Sequence, residues 1–536
     1  MQPPGTDKQK LRRVGRQPAR FWQHSGVFGR AVLVRRWPAV LDPLLVGVLA
    51  AAVSMIGAGR PSFWYDEAAT ISASYSRSLG QLWQMLTNVD AVHGLYYLLM
   101  HGWFTVFPPT EFWSRVPSAL AVGGTAAGVV VLGKQFSSRT VALSAGVIGA
   151  ILPRATWAGI EARPYALTMM VAAWSTVLLV HAARRNNDWV WLCYGAAMAA
   201  VILLDVYLAL MFLAHTVFLL FYGPGRAVAV RFGITMVCTC LAVAPFVRMA
   251  VGQAHQIIWI SPVGRRTIED VVVQQYFERS PLFLIVSACV MVAAVILWRF
   301  TSVRLADPDR QLLALAIAWL VVPTALILGW SALVHPIYTP RYLCFTAPAM
   351  ALVLGVCTGA LAVRPWIAAA VLVVFTLAAA PNFFLVQRGP YAKYGMDYSQ
   401  VADLIAAKAK GEPGECLMVN DTVTFMPAPM RPLLAARPDA YGKVVDISLW
   451  QKATDRNDVF DTNLIPEASV GPLSVCRVVW IITQADPARP AHEQNPAMEP
   501  GPLFGGTPAF AVTRDPGYRL VERWQFNLVQ VIKATR

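Results

Sequence analysis

Between residues 39 and 386 the chain alternates long apolar runs with short polar stretches. A membrane-crossing helix needs roughly 20 mostly apolar residues. The runs 39–58, 115–133, 140–157, 165–183, 231–250, 281–299, 311–332, 342–362 and 366–386 have that character. The run 188–222 is too long for one crossing, and Asp205 at its centre divides it into 189–204 and 206–222. Eleven transmembrane helices are therefore predicted. The run 94–108 is short, and counting it as a crossing would invert every later loop.

Charge decides that case. Basic residues concentrate in loops that stay in the cytoplasm. With 94–108 lying on the outer surface, the inner loops become Lys134–Arg139, Arg184–Arg185, Gly223–Arg231, Arg299–Arg310 and Arg364, all basic. The outer segments become 59–114, 154–164, 251–280, 333–341 and everything after 387. Residues 79–86 predict a second interfacial helix, because Leu79, Leu82, Trp83 and Leu86 fall on one helical face. That face suits either the membrane plane or packing against the bundle.

After residue 387 the composition shifts toward Asp, Glu, Lys and Pro. Residues 397–410 read as a helix, 416–419, 443–447 and 478–483 as strands, and 519–533 as a hairpin or two strands. Residues 484–508, rich in Pro, Gly and Ala, read as a loop. The order suggests a small α/β domain.

The fold class is thus a polytopic α-helical membrane protein with interfacial helices in its first outer loop and a C-terminal α/β extracytoplasmic domain. Three regions are expected: a basic cytoplasmic N-terminus (1–38), a transmembrane module (39–386) and the extracytoplasmic domain (387–536).

Composition agrees: 56% of the 536 residues are hydrophobic and 14% charged, against ~25% charged in soluble domains. The net charge of +15 is accounted for by inner loops and the N-terminus, so no nucleic-acid partner is expected. No phosphate-binding GxxxxGK[ST] loop is present, which excludes an ATP-driven pump acting alone. Six of the eight cysteines lie in apolar runs. Cys416 and Cys476 share the C-terminal region, where an oxidising compartment would favour a bridge. We expect that bridge, although sequence supplies no distance.

Ionisable residues at membrane depth are costly and mark functional sites. Here they collect near the outer ends of the predicted helices. The first group is Phe63-Trp64-Tyr65-Asp66-Glu67, where Glu67 could also serve the dipole of a following helix. The second is Asp90-Ala91-Val92-His93, where Asp90 could be a helix N-cap. The third is Arg154 with Glu161-Ala162-Arg163-Pro164-Tyr165. The fourth is His335-Pro336-Ile337-Tyr338-Thr339-Pro340-Arg341-Tyr342. Arg163 stands at the start of a helix, where the dipole disfavours a cation, so an anionic partner is expected: Glu161, a lipid phosphate or a ligand phosphate. Arg341 has the same setting, with headgroup snorkelling as the alternative. Carboxylates can take a proton from an attacking hydroxyl, and arginines can stabilise a phosphate leaving group.

These stretches resemble the GT-C superfamily of integral-membrane glycosyltransferases, in particular the bacterial branch similar to protein O-mannosyltransferases and aminoarabinose transferases. Trp64-Tyr65-Asp66-Glu67-Ala68 is similar to the family's first-loop acidic motif. Asp90 to Leu99 is similar to its Asp-x-His-Pro-Pro-Leu-Tyr-Tyr stretch, except that Gly94-Leu95 replaces the Pro-Pro. Glu161 to Leu167 and Pro340-Arg341-Tyr342-Leu343 are similar to two further motifs. The likeness covers roughly residues 39–350.

The resemblance implies inverting transfer of one sugar, mannose-type favoured, from a polyprenyl-phosphate donor to a hydroxyl on a glycolipid, polysaccharide or protein acceptor, at the outer face of the cytoplasmic membrane. By that resemblance Asp66 is the general base and Glu67 supports it or helps hold the acceptor. Arg163 and Arg341 bind the donor phosphate, and Asp90, His93, Glu161, Tyr165 and Tyr342 contact substrate. No cofactor is required. Some relatives hold a divalent cation, which Asp66, Glu67, Asp90 and His93 could ligate, but their spacing demands no metal. The competing expectation is a lipid or polysaccharide transporter. Transporters often carry internal repeats and mid-membrane breaks. No repeat is found in this chain, and its misplaced charges lie at one face.

Overall fold

The computed structural model describes residues 36–223, 225–301, 305–419, 430–488, 494–496 and 502–536. The expected basic N-terminus falls almost wholly outside them, as does Pro224 of the expected loop Gly223–Arg231. Residues 42–536 form one compact unit, and residues 36–41 begin the helix Arg36–Met55.

Among the described residues, seven helices are long and apolar enough to cross a membrane: Glu111–Phe136, Tyr165–Arg185, Arg226–Gly252, Pro281–Phe300, Asp307–Leu333, Pro340–Leu361 and Pro365–Gln387. Four shorter apolar helices accompany them: Val40–Met55, Arg139–Ile151, Asp188–Leu204 and Val206–Phe221. Each of the eleven predicted segments overlaps one of these helices. Two are interrupted for visible reasons. The segment 140–157 breaks at Leu152, which is pushed out of helical geometry (ψ 125°) by Pro153, the first residue of a short helix Pro153–Ala158. The run 188–222 breaks at Asp205, whose Oδ1 accepts the Tyr207 N–H at 2.9 Å and so starts the next helix.

Small residues set the helix spacing. A Cβ on Gly123 would stand 2.7 Å from the carbonyl oxygen of Gly47, so only glycine permits this approach.

The segment 59–114, expected to be the first outer loop, is mostly helical. Tyr65–Ser74 is followed by Leu79–Asn88 and Gly94–Phe104. The last is too short to cross, as its place in the charge argument requires. Leu79–Asn88 begins with a reciprocal Ser78–Gln81 cap. Its predicted apolar face divides: Leu82 and Leu86 are buried beside Met85, whereas Leu79 and Trp83 are exposed.

Among the described residues eight strands follow: β1 (Glu415–Val419), β2 (Val445–Asp446), β3 (Leu449–Gln451), β4 (Thr462–Asn463), β5 (Val478–Gln484), β6 (Gln494–Pro496), β7 (Arg519–Gln525) and β8 (Val529–Thr535). Six form one sheet in the order β2-β1-β5-β8-β7-β6, and β3 pairs with β4 separately. β1 runs parallel to β2 and β5, and the remaining pairs are antiparallel. The stretch 484–508 is not all loop, as expected above: β6 pairs with the edge of β7 through Asn495 and Arg523.

Period-two alternation gives this sheet two buried faces. Cys416 and Met418 pack with Val479, Ile481 and Ile532 on one side, where Cys416 is disulfide-bonded to Cys476 with a Cα–Cα distance of 5.8 Å. Leu417, Val419, Trp480 and Val531 face the other way. They share a core with Phe63, Trp64, Ala68 and Ile71 of the segment 59–114. The sheet thereby backs the segment carrying Asp66.

Candidate active site

Asp66 and Glu67 lie in the first turn of Tyr65–Ser74, where acids favour the helix dipole. Their surroundings differ sharply. Glu67 is fully buried and accepts two hydrogen bonds from Arg115, Nε to Oε1 at 2.8 Å and Nη2 to Oε2 at 2.6 Å. Its Oε1 also accepts the Ala162 N–H at 2.9 Å. Arg115 spends its other donors on the carbonyls of Ala58, Pro61 and Ser62, which fixes the chain leading to Asp66. Both Glu67 oxygens are occupied by protein donors, an arrangement that suits support of the Asp66 loop, the first of the two expected tasks, better than a hold on an acceptor. The Asp66 side chain is 20% exposed, and its Oδ2 lies 3.8 Å from Arg341 Nη2.

Arg341 follows Pro340, the first residue of a 3-10 turn. Its guanidinium faces the rings of Trp64, Trp259 and Tyr342 at 5.4, 5.0 and 5.7 Å. Nη1 donates to the Tyr394 hydroxyl at 3.1 Å.

On the other side of Asp66, Arg163 gathers the second cluster. Its Nη1 donates to the Tyr97 hydroxyl at 3.0 Å and to the Asp66 backbone carbonyl at 3.4 Å. Its Nη2 donates to His93 Nε2 at 2.6 Å. The Tyr97 hydroxyl donates in turn to Asp90 Oδ2 at 2.8 Å. A left-handed backbone at Asp90 (φ 58°), which Asp tolerates, starts the short turn Ala91–His93 that brings both residues to Arg163. Burial, then Arg163 and Arg341, hold His93 well below its ordinary pKa. The neutral ring can therefore accept from Arg163, which leaves its proton on Nδ1. Burial also raises the pKa of Asp90, against the opposing pull of Arg163 and the Tyr97 hydrogen bond.

Four polar atoms of these residues are buried without a hydrogen-bond partner: Arg163 Nε, Arg341 Nε, His93 Nδ1 and the Tyr165 hydroxyl. Tyr165 stacks on Tyr342 at 6.4 Å, and Tyr342 meets Tyr207 at 5.4 Å. Buried polar groups are nearly always paired, so donors left in this number beside a half-open carboxylate suit an anionic ligand.

Glu161 is placed differently from the expectation of a substrate contact. Its Oε2 accepts the Trp64 indole N–H at 2.8 Å, and its Oε1 accepts from Lys393 Nζ. Burial pushes its pKa up to about 7 despite Lys393. Arg154 is drawn away from Glu161, pairing with Glu278 at 2.5 Å and donating to the Gln275 carbonyl.

The site thus unites Asp66, Asp90, His93, Arg163, Tyr165, Arg341 and Tyr342. The residues sequence reading passed over are Tyr97, Arg115, Trp259, Lys393 and Tyr394. Arg115 was signalled as a charge within an apolar helix. Lys393 was signalled as a cation on the side where the charge rule expects few.

Among the described residues no group of three or more His, Cys, Asp and Glu side chains is placed to hold a metal ion. Of the four residues that could have served as ligands, Glu67 bonds to Arg115, Asp90 to Tyr97 and His93 Nε2 to Arg163.

No family model matches the chain, and no curated protein matches it. Solved structures do. The chain is similar to ArnT from Cupriavidus metallidurans in the apo state, with TM-score 0.53, 14% identity, and coverage of 91% of this chain and 97% of that one. It is also similar to the same protein bound to undecaprenyl phosphate, with TM-score 0.50, 14% identity and the same coverage. At this identity the likeness establishes a shared fold. The long apolar helices indicate a multi-pass membrane protein.

Proposed function

We propose that this protein is a glycosyltransferase that takes a single sugar from a polyprenyl-phosphate donor to a hydroxyl acceptor at the outer face of the cytoplasmic membrane. The observation that carries the proposal is the set of unpaired buried donors on Arg163, Arg341, His93 and Tyr165 beside the accessible Asp66. The neighbour ArnT, solved with undecaprenyl phosphate bound, supports a lipid phosphate as the anion.

In this reading the eleven apolar helices all cross, and the donor arrives laterally from the bilayer. Arg341 and Arg163 bind its phosphate, and their charge stabilises the phosphate as it leaves the anomeric carbon. Asp66 takes the proton of the acceptor hydroxyl as its oxygen attacks that carbon from the opposite face, inverting the configuration. Tyr342 and Tyr165 line the donor side. Asp90 and His93 orient Arg163, and Glu67 holds the Asp66 loop. The sheet-bearing region after residue 387 lies outside the membrane over the site. The resemblance to protein O-mannosyltransferases makes a mannose-type sugar the first donor to offer.

The test is a transfer assay in membranes containing the full chain, with a panel of radiolabelled polyprenyl-phosphate sugars. Incorporation from one donor is expected. Translocation of labelled lipid without transfer would favour the transporter reading instead.

A further inference from the structure

Lys393 and Glu161 are both completely buried. Burying such a pair costs several kcal/mol per ion in desolvation, and well-packed apolar residues often serve stability as well or better. A role beyond stability therefore has to be sought in what the pair touches.

Glu161 divides its carboxylate between two partners. One oxygen accepts from Lys393 Nζ, and the other accepts the Trp64 indole N–H at 2.8 Å. With one oxygen pinned by a cation, the other is held at a fixed position, and the indole cannot turn without leaving Glu161 a buried acceptor short of its donor. The face of that indole lies 5.4 Å from the Arg341 guanidinium. The residue after Lys393 completes the arrangement: Tyr394 packs on Trp64 at 4.5 Å and takes a hydrogen bond from Arg341 Nη1 at 3.1 Å. Tyr394 adopts φ 54°, a conformation uncommon for an aromatic residue. This backbone turn brings two consecutive side chains, Lys393 and Tyr394, to bear on Trp64, one through Glu161 and one directly. Strain kept at such a place points to function.

We propose that Lys393 and Glu161 are positioning residues for Arg341, acting through Trp64, and that they aim its guanidinium at the donor phosphate. The proposal rests on the polyprenyl-phosphate reading above. It also assigns a task to the segment joining the helix Pro365–Gln387 to the sheet-bearing region. That segment supplies the anchor of the phosphate site, so the C-terminal region and the site are built as one structure.

The test measures binding of undecaprenyl phosphate to the purified full chain in detergent, together with thermal stability of each variant. Trp64→Phe keeps a smaller aromatic face near Arg341 and removes the N–H together with the five-membered ring that carries it. Lys393→Met removes the pin. Each is expected to weaken binding about tenfold, the worth of roughly one charge-assisted hydrogen bond. The reversed pair, Lys393→Glu with Glu161→Lys, restores opposite charges but gives the indole N–H no acceptor at position 161. It is expected to recover the stability lost in Lys393→Met without recovering affinity. A purely structural pair would recover both, and that result would overturn the proposal. So would folded Trp64→Phe protein that binds as the wild type does. Absence of binding by the wild type would instead refute the phosphate reading of the site, and the proposal with it.

Discussion

Arg115 grips Glu67 with two parallel hydrogen bonds, 2.8 and 2.6 Å long, and neither side chain is exposed. One residue earlier, Asp66 meets Arg341 only at 3.8 Å and keeps part of its carboxylate open. Two adjacent acids therefore differ in setting, one buried and paired and one partly open. Removing one member of a buried pair leaves an uncompensated charge and costs about 3–5 kcal/mol. Glu67→Gln and Arg115→Met are each expected to lose stability on that order, read as a large drop in the thermal midpoint of the purified protein. Asp66→Asn is expected to leave the midpoint nearly unchanged, since a partly exposed pair contributes about 0–1 kcal/mol.

Asp397 gives the protein a pH dependence of known sign. Its Oδ2 accepts the N–H groups of Leu528 and Val529, while its Oδ1 is buried without a partner. Burial raises its pKa from 3.8 to about 6, against the lowering effect of those hydrogen bonds. A carboxyl with a raised folded pKa contributes stability that is fully present below the unfolded value and lost as pH rises through the folded one. Stability is therefore expected to fall by about 3 kcal/mol between pH ~4 and ~6 from this group, at ~1.4 kcal/mol per pKa unit. Asp397→Asn should remove that part of the slope in thermal scans across the window. A variant whose pH profile matches the wild type would count against the assignment.

The Cys416–Cys476 bridge closes a loop with a sequence separation of 60. Cross-links of that span stabilise by about 4 kcal/mol in the chain-entropy account. Reductant is expected to lower the thermal midpoint of the sheet-bearing region, and Cys416→Ser with Cys476→Ser should reproduce the effect. Mass spectrometry should find both thiols unreactive to alkylation until reductant is added.

Arg341 offers a planar guanidinium that lies 5.4 Å from the Trp64 ring and 5.0 Å from the Trp259 ring. Lysine keeps the charge but loses both the stacking plane and the two-pronged contact with phosphate. Arg341→Lys is expected to weaken undecaprenyl phosphate binding about tenfold or more, with a small change in stability. Affinity equal to that of the wild type would remove Arg341 from the phosphate site.

What the sequence made legible follows from range. Apolar run length located the helices, and Asp205 marked its own break because a capping acid is a local signal. The order of the motifs pointed to Asp66, Asp90, His93, Arg163 and Arg341, since each lies near the end of an apolar run where a charge is conspicuous. The partners of those residues were not legible. Lys393 and Glu161 are 232 positions apart, and Tyr394 reaches Arg341 across 53. No local pattern encodes such pairings. The same limit holds for Glu67, read as supporting Asp66 or holding the acceptor, and for Glu161, read as a substrate contact: their partners Arg115, Trp64 and Lys393 lie far away in sequence. The strand β6 was missed because its Pro496 and short length suit a loop, and only pairing with β7 makes it a strand.

The central claim is that Asp66 takes the proton of the acceptor hydroxyl. The most direct measurement compares wild type and Asp66→Asn for sugar transfer from a polyprenyl-phosphate donor in membranes, at matched protein levels. Loss of a general base typically costs ~10²–10⁴-fold, so transfer should fall by at least two orders of magnitude while the thermal midpoint and undecaprenyl phosphate binding stay near wild type. Transfer above about a tenth of the wild-type rate in the variant would contradict the account, since such a base contributes at least ~10²-fold.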